Sequence, residues 1–463
     1  MTRRRISLGL ALLVAASVWS GNAAPPNIVL LIADDLGYTD LSCTGGAPDV
    51  KTPHIDHLAA EGVRFTNAYA TAPICNASRI AIATGRYQQR QGVHWYAGPG
   101  LHDPTLPTIA ETLKARGYAT GYVGKVHHGS NDKPGKRGFP LNHGYDEFFG
   151  CFGGTKHYLH HDASYGNTPL HEGPLWDQRE TKSVTGFSTT LYGERSRAFI
   201  RKHKDSPFFL TVSFNAVHNF THQLPEEYLQ QHNLNGFPDL QSGEDYWAWR
   251  KKISFPAHPE GRAYYLGQLH FLDLEVGRIM KQLKQSGVAE NTAIFFVGDN
   301  GGSLVTYANN TPLKGGKYTL FEGGIRVPFI ARFPARFPTN EVSHATASTL
   351  DLLPTICALA DVSPLPRSDG LNLSGAWSDP SRSIPRTLFW DTKSEQAVRE
   401  GKWKLLITRK SPNPRLQIQD TPKGTFLFDL STDPGETTNL AKKHPDIVRR
   451  ITTSLRTWQA EVK

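Results

Sequence analysis

One cysteine in this chain lies where a nucleophile would face a bound anion. Cys75 opens a run of small residues, 75–84, whose composition favours a helix. Asn76 and Ser78 are residue types that cap helix starts, and a helix start presents free backbone N–H groups to an anion. Arg79 adds a guanidinium, which matches a tetrahedral oxyanion. The pattern predicts an anion site with a thiol aimed into it, the alternative being a small buried structural thiol.

Two apolar runs, each followed by oxygen-bearing side chains, suggest a second part of the same site. Residues 27–33 and 292–297 are typical of strands that are covered on both faces of a sheet. Ligands bind outside the carboxyl ends of such strands, and hard oxygen donors suit Ca²⁺ or Mg²⁺. Taken alone, either acidic pair is equally consistent with an ordinary turn or helix cap. The candidate ligands are Asp34, Asp35, Asp299 and Asn300.

Basic and imidazole side chains follow other predicted strands or lie in a glycine-rich loop. Lys125 and His127 are spaced so that they project to the same side of a strand end. Glycines near Lys317 let the backbone approach a ligand closely. The candidates of this kind are Lys125, His127, His218 and Lys317. Weaker candidates are His128, His222 and Lys314. We expect His222 to be exposed and Lys314 to be a solvated loop charge.

The motif Cys75-x-Ala77-x-Arg79, followed by Thr84-Gly85-Arg86, resembles the signature of the formylglycine-dependent type I sulfatases of the alkaline phosphatase superfamily. In that family the cysteine is oxidised to an aldehyde, and the hydrate of the aldehyde attacks the sulfur of a sulfate ester. The resemblance extends over nearly the whole chain after residue 24. It departs from the usual motif at Ala77, where the family commonly has proline, and this difference bears on maturation more than on chemistry.

The resemblance implies a role for each candidate residue. The divalent cation, Ca²⁺ or alternatively Mg²⁺, would be held by Asp34, Asp35, Asp299 and Asn300, with an oxygen from the modified Cys75. The sulfate would be contacted by Arg79, Lys125, His218 and Lys317. His218 or Lys317 would protonate the leaving oxygen, and His127 would take the proton whose loss expels sulfate and regenerates the aldehyde. The implied partners are a sulfated carbohydrate or other sulfate ester, and a formylglycine-generating maturation enzyme.

Three other functions stay open at this point. A phosphatase or phosphodiesterase on the same scaffold would use Ser or Thr as nucleophile, often with two zinc ions, and Cys75 argues against it. A non-catalytic binder of sulfated glycans would require Cys75 to remain unmodified. A structural secreted protein would leave the assembled ligand set unexplained. Among enzyme substrates, sulfated carbohydrates are favoured, since export is expected and the insertion carries His157, Tyr158, His160 and His161. Trp95 and Tyr96 could also stack on a sugar ring, the alternative being ordinary packing.

Alternating strands and helices between residues 27 and 359 predict an α/β fold, with a large mixed, mainly parallel sheet flanked by helices. Within it, residues 261–285 have the spacing of an amphipathic helix, and 150–190 read as an insertion near the mouth of the site. Short strand patterns after residue 386 predict a small C-terminal antiparallel sheet with one helix. The expected division is a catalytic domain, 25–375, and a C-terminal subdomain, 380–463.

Residues 1–24 are typical of a secretory signal, with a basic start, a short apolar stretch and small residues before the cleavage zone. They predict an exported protein, periplasmic or secreted, and no stable membrane span, an uncleaved anchor being the alternative. The net charge of +9 falls to +6 without the three arginines of this segment. No basic run is dense enough to indicate nucleic-acid binding. The four cysteines do not suggest a disulfide scaffold, and at most one bridge could join Cys43, Cys151 and Cys357 if Cys75 is modified.

Overall fold

The computed structural model describes residues 24–463 except 97, 130–132, 154–156, 163–172, 242, 255–256, 364–366 and 410–421. Its strands are β1 (Asn27–Ala33), β2 (Val63–Tyr69), β3 (Ala119–Lys125), β4 (Glu147–Cys151), β5 (His160–His161), β6 (Leu175–Asp177), β7 (Glu180–Lys182), β8 (Val184–Thr185), β9 (Phe208–Ser213), β10 (Thr292–Gly298), β11 (Phe329–Arg332), β12 (Glu341–Ser348), β13 (Thr387–Asp391), β14 (Glu395–Glu400), β15 (Trp403–Thr408) and β16 (Gly424–Asp429). Its helices are α1 (Pro53–Ala60), α2 (Cys75–Thr84), α3 (Ile109–Lys114), α4 (Ser188–His203), α5 (Glu226–Gln231), α6 (Tyr246–Lys252), α7 (Gly261–Gln285), α8 (Glu322–Ile325), α9 (Leu352–Leu359), α10 (Ser374–Ser378) and α11 (Pro445–Glu461).

Ten strands form one large mixed sheet in the order β12-β2-β11-β10-β1-β9-β3-β4-β6-β7. The pairs β10-β1, β1-β9, β9-β3, β3-β4 and β12-β2 are parallel. The pairs β2-β11, β11-β10, β4-β6 and β6-β7 are antiparallel. This arrangement confirms the predicted mixed, mainly parallel sheet. Its centre is β1, which lies between β10 and β9 and therefore sends its carboxyl end to the middle of one sheet edge.

Every residue of β1 is buried because helices cover both faces of the sheet. Its side chains alternate between two cores: Ile28 and Leu30 face α2, α3 and α9, and Val29 and Leu31 face α1, α4 and α7. This two-sided burial explains why the strand reads as an unbroken apolar run. The predicted helix over residues 261–285 is confirmed as α7, which packs along the second core.

The C-terminal residues form a separate four-stranded antiparallel sheet, β13-β14-β15-β16, as predicted. Helix α11 covers one face of this sheet with Ile451, Leu455 and Trp458. The other face packs on the large domain, where Trp390 meets Tyr69 of β2. The sequence boundary between 25–375 and 380–463 stays a prediction, because two sheets do not by themselves define independent folding units.

One local expectation is corrected. The helix begins at Cys75 itself, with Ile74 in the N-cap position and no side-chain cap, so Asn76 and Ser78 do not cap it. Both lie inside the first turn, fully buried. The predicted insertion contains the short strands β5 to β8, and the remainder of it, 154–156 and 163–172, lies outside the described residues.

The four cysteines are all unbridged. None of the described helices combines the length and the apolar character that a membrane crossing needs. The predicted signal segment lies outside the described residues except for Ala24.

Candidate active site

The register of β1 and β10 brings the predicted acidic pairs together. The strands are parallel, with Ala33 opposite Gly298, so the next residues of both leave the sheet at the same point. The Asp35 N–H donates to Asp299 Oδ1 over 3.2 Å, and Asn300 Nδ2 donates to Asp35 Oδ1 over 2.8 Å. These residues are buried, and together with Asp34 they form the floor of the site.

Cys75 lies directly against this floor. It is the first residue of α2 and is 2% exposed. Ligand atoms of Asp34, Asp35, Cys75 and His218 all lie within 4.8 Å of one another. The structure thus joins the cysteine motif to acidic residues that are distant along the chain, since Cys75 follows Asp35 by 40 residues and precedes Asp299 by 224.

The guanidinium of Arg79, one turn further along α2, is anchored below Cys75. Its Nε donates to Asp299 Oδ2 over 2.8 Å, and one terminal nitrogen donates to the Lys125 carbonyl over 2.9 Å and to Ser213 Oγ over 2.5 Å. The other terminal nitrogen lies 3.7 Å from Asp34 Oδ2 and has no hydrogen-bond partner among the described residues. That N–H group is available to an anion above Cys75.

Two buried lysines complete the basic part of the site. Lys125, at the end of β3, donates to Asp34 Oδ2 over 2.5 Å. Lys317, in the loop before α8, donates to Asp35 Oδ2 over 2.6 Å. The side chains are 1% and 3% exposed. Each ammonium has further donors that can reach a ligand, because an ammonium carries three N–H groups.

The buried carboxyl groups influence one another strongly. Burial alone would raise the pKa of Asp34, but Lys125 and the other cations nearby hold it well below its usual value. Burial raises the pKa of Asp35 against the opposing effect of Lys317. Burial and the negative charge of Asp34 raise the pKa of Asp299 to about 7. Two of the three carboxyl groups therefore resist ionisation, a situation that a neighbouring divalent cation would reverse.

The two predicted histidines lie at the open side of the site and are half-buried. His218 Nε2 lies 3.5 Å from Asp35 Oδ2. His127 has a left-handed backbone conformation, with φ of 52°, which turns the chain at the end of β3. Burial and the positive charges of Lys125 and Arg79 lower the pKa of His127 well below 6.5, so its imidazole is neutral and able to accept a proton.

The site fits a hard divalent cation. Asp34 Oδ1 and Asn300 Oδ1 are buried oxygen atoms that accept no hydrogen bond from any described residue. Orphaned acceptors of this kind are rare in folded proteins and are expected of ligand atoms. Once ionised beside a cation, the three aspartates would balance the charges of Arg79, Lys125 and Lys317. A bound divalent cation would therefore make the site positive, as an anionic ester requires.

The comparison with known proteins decides the family. Residues 26–362 match the family model described as "Sulfatase". The chain belongs to the sulfatase family. It is a sulfuric ester hydrolase of the alkaline phosphatase superfamily, and the resemblance seen in the cysteine motif is confirmed.

Relatives of this sulfatase span most of its length. Arylsulfatase A of Homo sapiens is 32% identical, over 93% of this chain and 86% of that protein. N-acetylgalactosamine-6-sulfatase of Sus scrofa is 32% identical, over 83% of this chain and 72% of that protein. Among solved structures, Ps i-CgsB in complex with k-i-k-neocarrahexaose superposes with a TM-score of 0.77 at 29% identity, covering 95% of this chain and 94% of that one.

The three weaker candidate residues from the sequence analysis, His128, His222 and Lys314, are held by contacts with other side chains. His128 is buried between the rings of Tyr122 and His143. The expectation that His222 is exposed is wrong: it is 4% exposed, and its Nε2 lies 2.7 Å from Asp239 Oδ1. Lys314 is half-buried, with its ammonium 4.5 Å from the ring centre of Phe321, so it is more than a solvated loop charge.

Three residues with a clear relation to the site escaped sequence reasoning. Ser213 accepts from Arg79 and donates to the Lys125 carbonyl over 2.7 Å. Glu395 and Glu436, both from the C-terminal subdomain, accept the backbone N–H groups of Leu320 and Glu322 over 2.8 and 2.6 Å. These two hydrogen bonds hold the backbone at Leu320 and Glu322, shortly after Lys317 in the chain. A lone Ser or Glu with no characteristic spacing gives no signal of such a role.

Proposed function

We propose that the sulfatase hydrolyses sulfate monoesters of carbohydrates, by means of a formylglycine derived from Cys75 and a bound divalent cation, Ca²⁺ or alternatively Mg²⁺. The observation that carries the proposal is the position of Cys75 at the start of α2, with ligand atoms of Asp34, Asp35 and His218 within 4.8 Å. The carbohydrate substrate is supported by relatives named for N-acetylgalactosamine-6-sulfate and by a neighbour that holds a neocarrahexaose.

The cation would be held by the residues that the sequence singled out. Asp34 Oδ1 and Asn300 Oδ1 are orphaned acceptors, and Asp35 contributes a third oxygen. Asp299 would bind with the lone pairs that Arg79 and the Asp35 N–H leave free. A calcium or magnesium ion bound there supplies positive charge for the ester oxygens and favours the ionised form of a hydroxyl group beside it.

Cys75 as a thiol is poorly suited to attack sulfur. Burial raises the pKa of its thiol to about 11, so that the reactive thiolate is scarce at neutral pH. A sulfur nucleophile would also leave a thiosulfate adduct with no second hydroxyl through which sulfate could be expelled. The hydrate of formylglycine supplies two hydroxyl groups on one carbon, one to attack and one to drive the elimination.

The surrounding residues bind and orient the ester. Arg79, Lys125 and Lys317 would neutralise the sulfate oxygens and the charge that develops on the leaving oxygen, since each has a positive charge buried beside the acidic floor of the site. His218, half-buried at the mouth, lies where it can hand a proton to the departing alcohol. Lys317, held by Asp35 over 2.6 Å, is the alternative donor.

His127 serves the second half of the reaction. Its pKa is lowered well below 6.5, so the neutral imidazole is ready to take a proton at its free ring nitrogen. Its Nδ1 is buried without a partner among the described residues. Accepting the proton of the remaining hydroxyl expels sulfate and restores the aldehyde for the next turnover.

Export and maturation belong to the same proposal. Residues 1–24 would direct the protein to the periplasm or the exterior, and a formylglycine-generating enzyme would oxidise Cys75 before the chain folds. Maturation must precede folding because both Cys75 and Ala77 are buried, at 2% and 0% exposed. Ala77, which replaces the more usual proline of the motif, does not change the other two motif residues, Cys75 and Arg79.

Sulfate release from defined glycans tests the proposal. The protein, expressed in a host that matures this motif, is incubated with chondroitin 6-sulfate and carrageenan oligosaccharides, and free sulfate is measured by ion chromatography. We expect turnover by the unaltered chain and by Cys43→Ala, which removes a cysteine outside the site. Cys75→Ala should release no sulfate. Equal release by Cys75→Ala would contradict the assigned nucleophile, and release from aryl sulfates alone would contradict the carbohydrate substrate.

A further inference from the structure

A groove of about 660 Å³ lies between residues 89–94 and the C-terminal subdomain. One wall is formed by residues 89–94, which come after α2 in the chain. The other wall is formed by the β13–β14 hairpin, the end of β15 and the last turns of α11. No role in the reaction has been assigned to this groove so far.

The walls of the groove carry unpaired positive charge. Lys393, Arg409 and Arg456 are exposed, and no carboxylate of a described residue lies within ion-pair distance of them. The acidic side chain in the described lining is Asp391, and it is occupied: Oδ1 accepts the Lys393 N–H over 2.7 Å, and Oδ2 accepts from Gln459 Nε2 over 2.5 Å. Arg409 donates to Gln396 Oε1 over 3.1 Å, a neutral acceptor that leaves its charge unbalanced. The charges of all three head groups therefore remain open to an external anion.

Two buried polar atoms in the same lining lack hydrogen-bond partners among the described residues. They are Gln89 Oε1 and Trp458 Nε1, an acceptor and a donor, on side chains that are 4% and 5% exposed. Leaving such a group unsatisfied costs about 1–3 kcal/mol. A ligand that carries hydroxyl groups, directly or through water, would satisfy both atoms, because a hydroxyl both donates and accepts.

Trp95 and Tyr318 lie between the wall of the groove and the site at Cys75. His94 in the groove wall has its Nδ1 3.2 Å from the Asp391 carbonyl oxygen. The next residue, Trp95, lies 6.1 Å, ring centre to ring centre, from Tyr318, which follows Lys317. Both rings pack on the apolar cluster that contains Cys75. A glycan chain bound at Cys75 would therefore reach the groove by passing Trp95.

We propose that this groove binds anionic groups of a glycan chain whose sulfate ester lies at Cys75. The substrate is then an extended sulfated oligosaccharide or polysaccharide, with Lys393, Arg409 and Arg456 contacting sulfate or carboxylate groups on units beyond the one that is desulfated. Hydroxyl groups of the same units meet Gln89 and Trp458. The inference rests on the proposed function for the identity of the reacting ester, while the charge and lining of the groove stand independently of it.

Binding measured without turnover tests the groove by itself. In a Cys75→Ala background, the triple variant Lys393→Gln/Arg409→Gln/Arg456→Gln is compared with the control Lys204→Gln/Lys281→Gln/Lys284→Gln. The control removes one exposed charge from the C-cap position of α4 and two from α7. The probes are fluorescently labelled carrageenan hexasaccharide and disaccharide, unsulfated neoagarohexaose, and a single-stranded DNA hexamer. We expect the groove variant to raise the Kd of the sulfated hexasaccharide about tenfold, with the control variant unchanged.

Kinetics give the second readout. With the Cys75-containing chain, the ratio of kcat/KM on the hexasaccharide to kcat/KM on 4-nitrocatechol sulfate should fall about tenfold in the groove variant, mainly through KM. Equal losses in the groove and control variants, or a disaccharide bound as tightly as the hexasaccharide, would overturn the inference. DNA bound as tightly as the hexasaccharide would overturn the glycan assignment. If the chain hydrolyses no sulfate ester, the proposed function fails, and the Kd comparison still decides the groove.

Discussion

Arg79 Nε donates to Asp299 Oδ2 over 2.8 Å, and both side chains are buried. This one contact ties the helix that begins at Cys75 to the strand that delivers Asp299 to the floor of the site. Breaking a buried ion pair from one side leaves an uncompensated charge in the interior. The pair therefore couples the position of Cys75, the proposed nucleophile, to that of the proposed metal ligands, and it links the site to the stability of the fold.

Replacing Arg79 should destabilise the protein strongly. Arg79→Met leaves the carboxylate of Asp299 without its partner, and we expect the free energy of unfolding to fall by about 3–5 kcal/mol in calcium-free buffer. Urea unfolding followed by fluorescence measures this change. The matched control is Arg449→Met, on the exposed face of α11, where the change should stay within about 0.5 kcal/mol. Equal effects of the two substitutions would show that the Arg79 pair contributes nothing.

Replacing Lys317 should lower kcat far more than replacing Lys314 in the same loop. We expect Lys317→Met to lower kcat on 4-nitrocatechol sulfate by about 10²–10³-fold, since a positioned donor to the developing charge is lost. Lys314→Met removes the same charge from the same loop, where the ammonium packs on Phe321 rather than at the site. It should stay within a few-fold of the unaltered chain. A similar loss for both variants would assign the effect to the loop and not to Lys317.

Calcium should stabilise the folded protein through the orphaned oxygens at the floor of the site. At a calcium concentration 100 times its Kd, the free energy of unfolding should rise by about 2.7 kcal/mol, and chelation should reverse this. Asp34→Asn should lose most of the calcium-dependent rise in Tm, whereas Asp446→Asn, on the surface of α11, should retain it. An undiminished rise in Asp34→Asn would place the cation elsewhere.

Glu395 should make stability depend on pH. Burial raises the pKa of its carboxyl group to about 7, even though the group accepts the Leu320 N–H. Between its unfolded pKa of about 4.3 and the folded value, the native state holds more protons than the unfolded state, so stability falls as pH rises through this range.

The substitution that isolates this effect is Glu395→Gln, which keeps the shape and removes the titration. Relative to this variant, the unaltered chain should lose about 2 kcal/mol of unfolding free energy between pH 5 and pH 8. Urea midpoints at the two pH values measure the difference. The exposed Glu461→Gln should show the pH dependence of the unaltered chain. Parallel pH profiles for Glu395→Gln and the unaltered chain would contradict the assignment.

The sequence was informative where a local pattern carries the physical information. The unbroken apolar run at 27–33 predicts a strand that is buried on both faces of a sheet. The acidic residues that follow this run and the run at 292–297 were expected to meet, because neighbouring parallel strands end at the same edge of a sheet. The strand register, Ala33 opposite Gly298, realises that expectation. The glycine-rich setting of Lys317 was equally readable.

Other features depend on contacts between distant parts of the chain, and no local pattern reports them. Glu395 and Glu436 reach the Lys317 loop from a different sheet, at separations of 75 and 114 residues from their backbone partners. His222 was expected to be exposed, yet it is enclosed because Phe237 stacks on its ring and Asp239 lies against its Nε2. The predicted start of α2 at Cys75 is confirmed, but the expected capping role of Asn76 and Ser78 is wrong, because both side chains are buried inside the first turn and Ile74 occupies the N-cap position.

The proposed mechanism depends on the conversion of Cys75 to formylglycine in the mature protein. Peptide mass spectrometry across residues 75–79, on protein from a host that matures this motif, tests it most directly. We predict a loss of about 18 Da relative to cysteine, the exchange of sulfur for oxygen with removal of two hydrogens. An unmodified thiol in active protein would contradict the mechanism, because the second hydroxyl group that expels sulfate would then be missing.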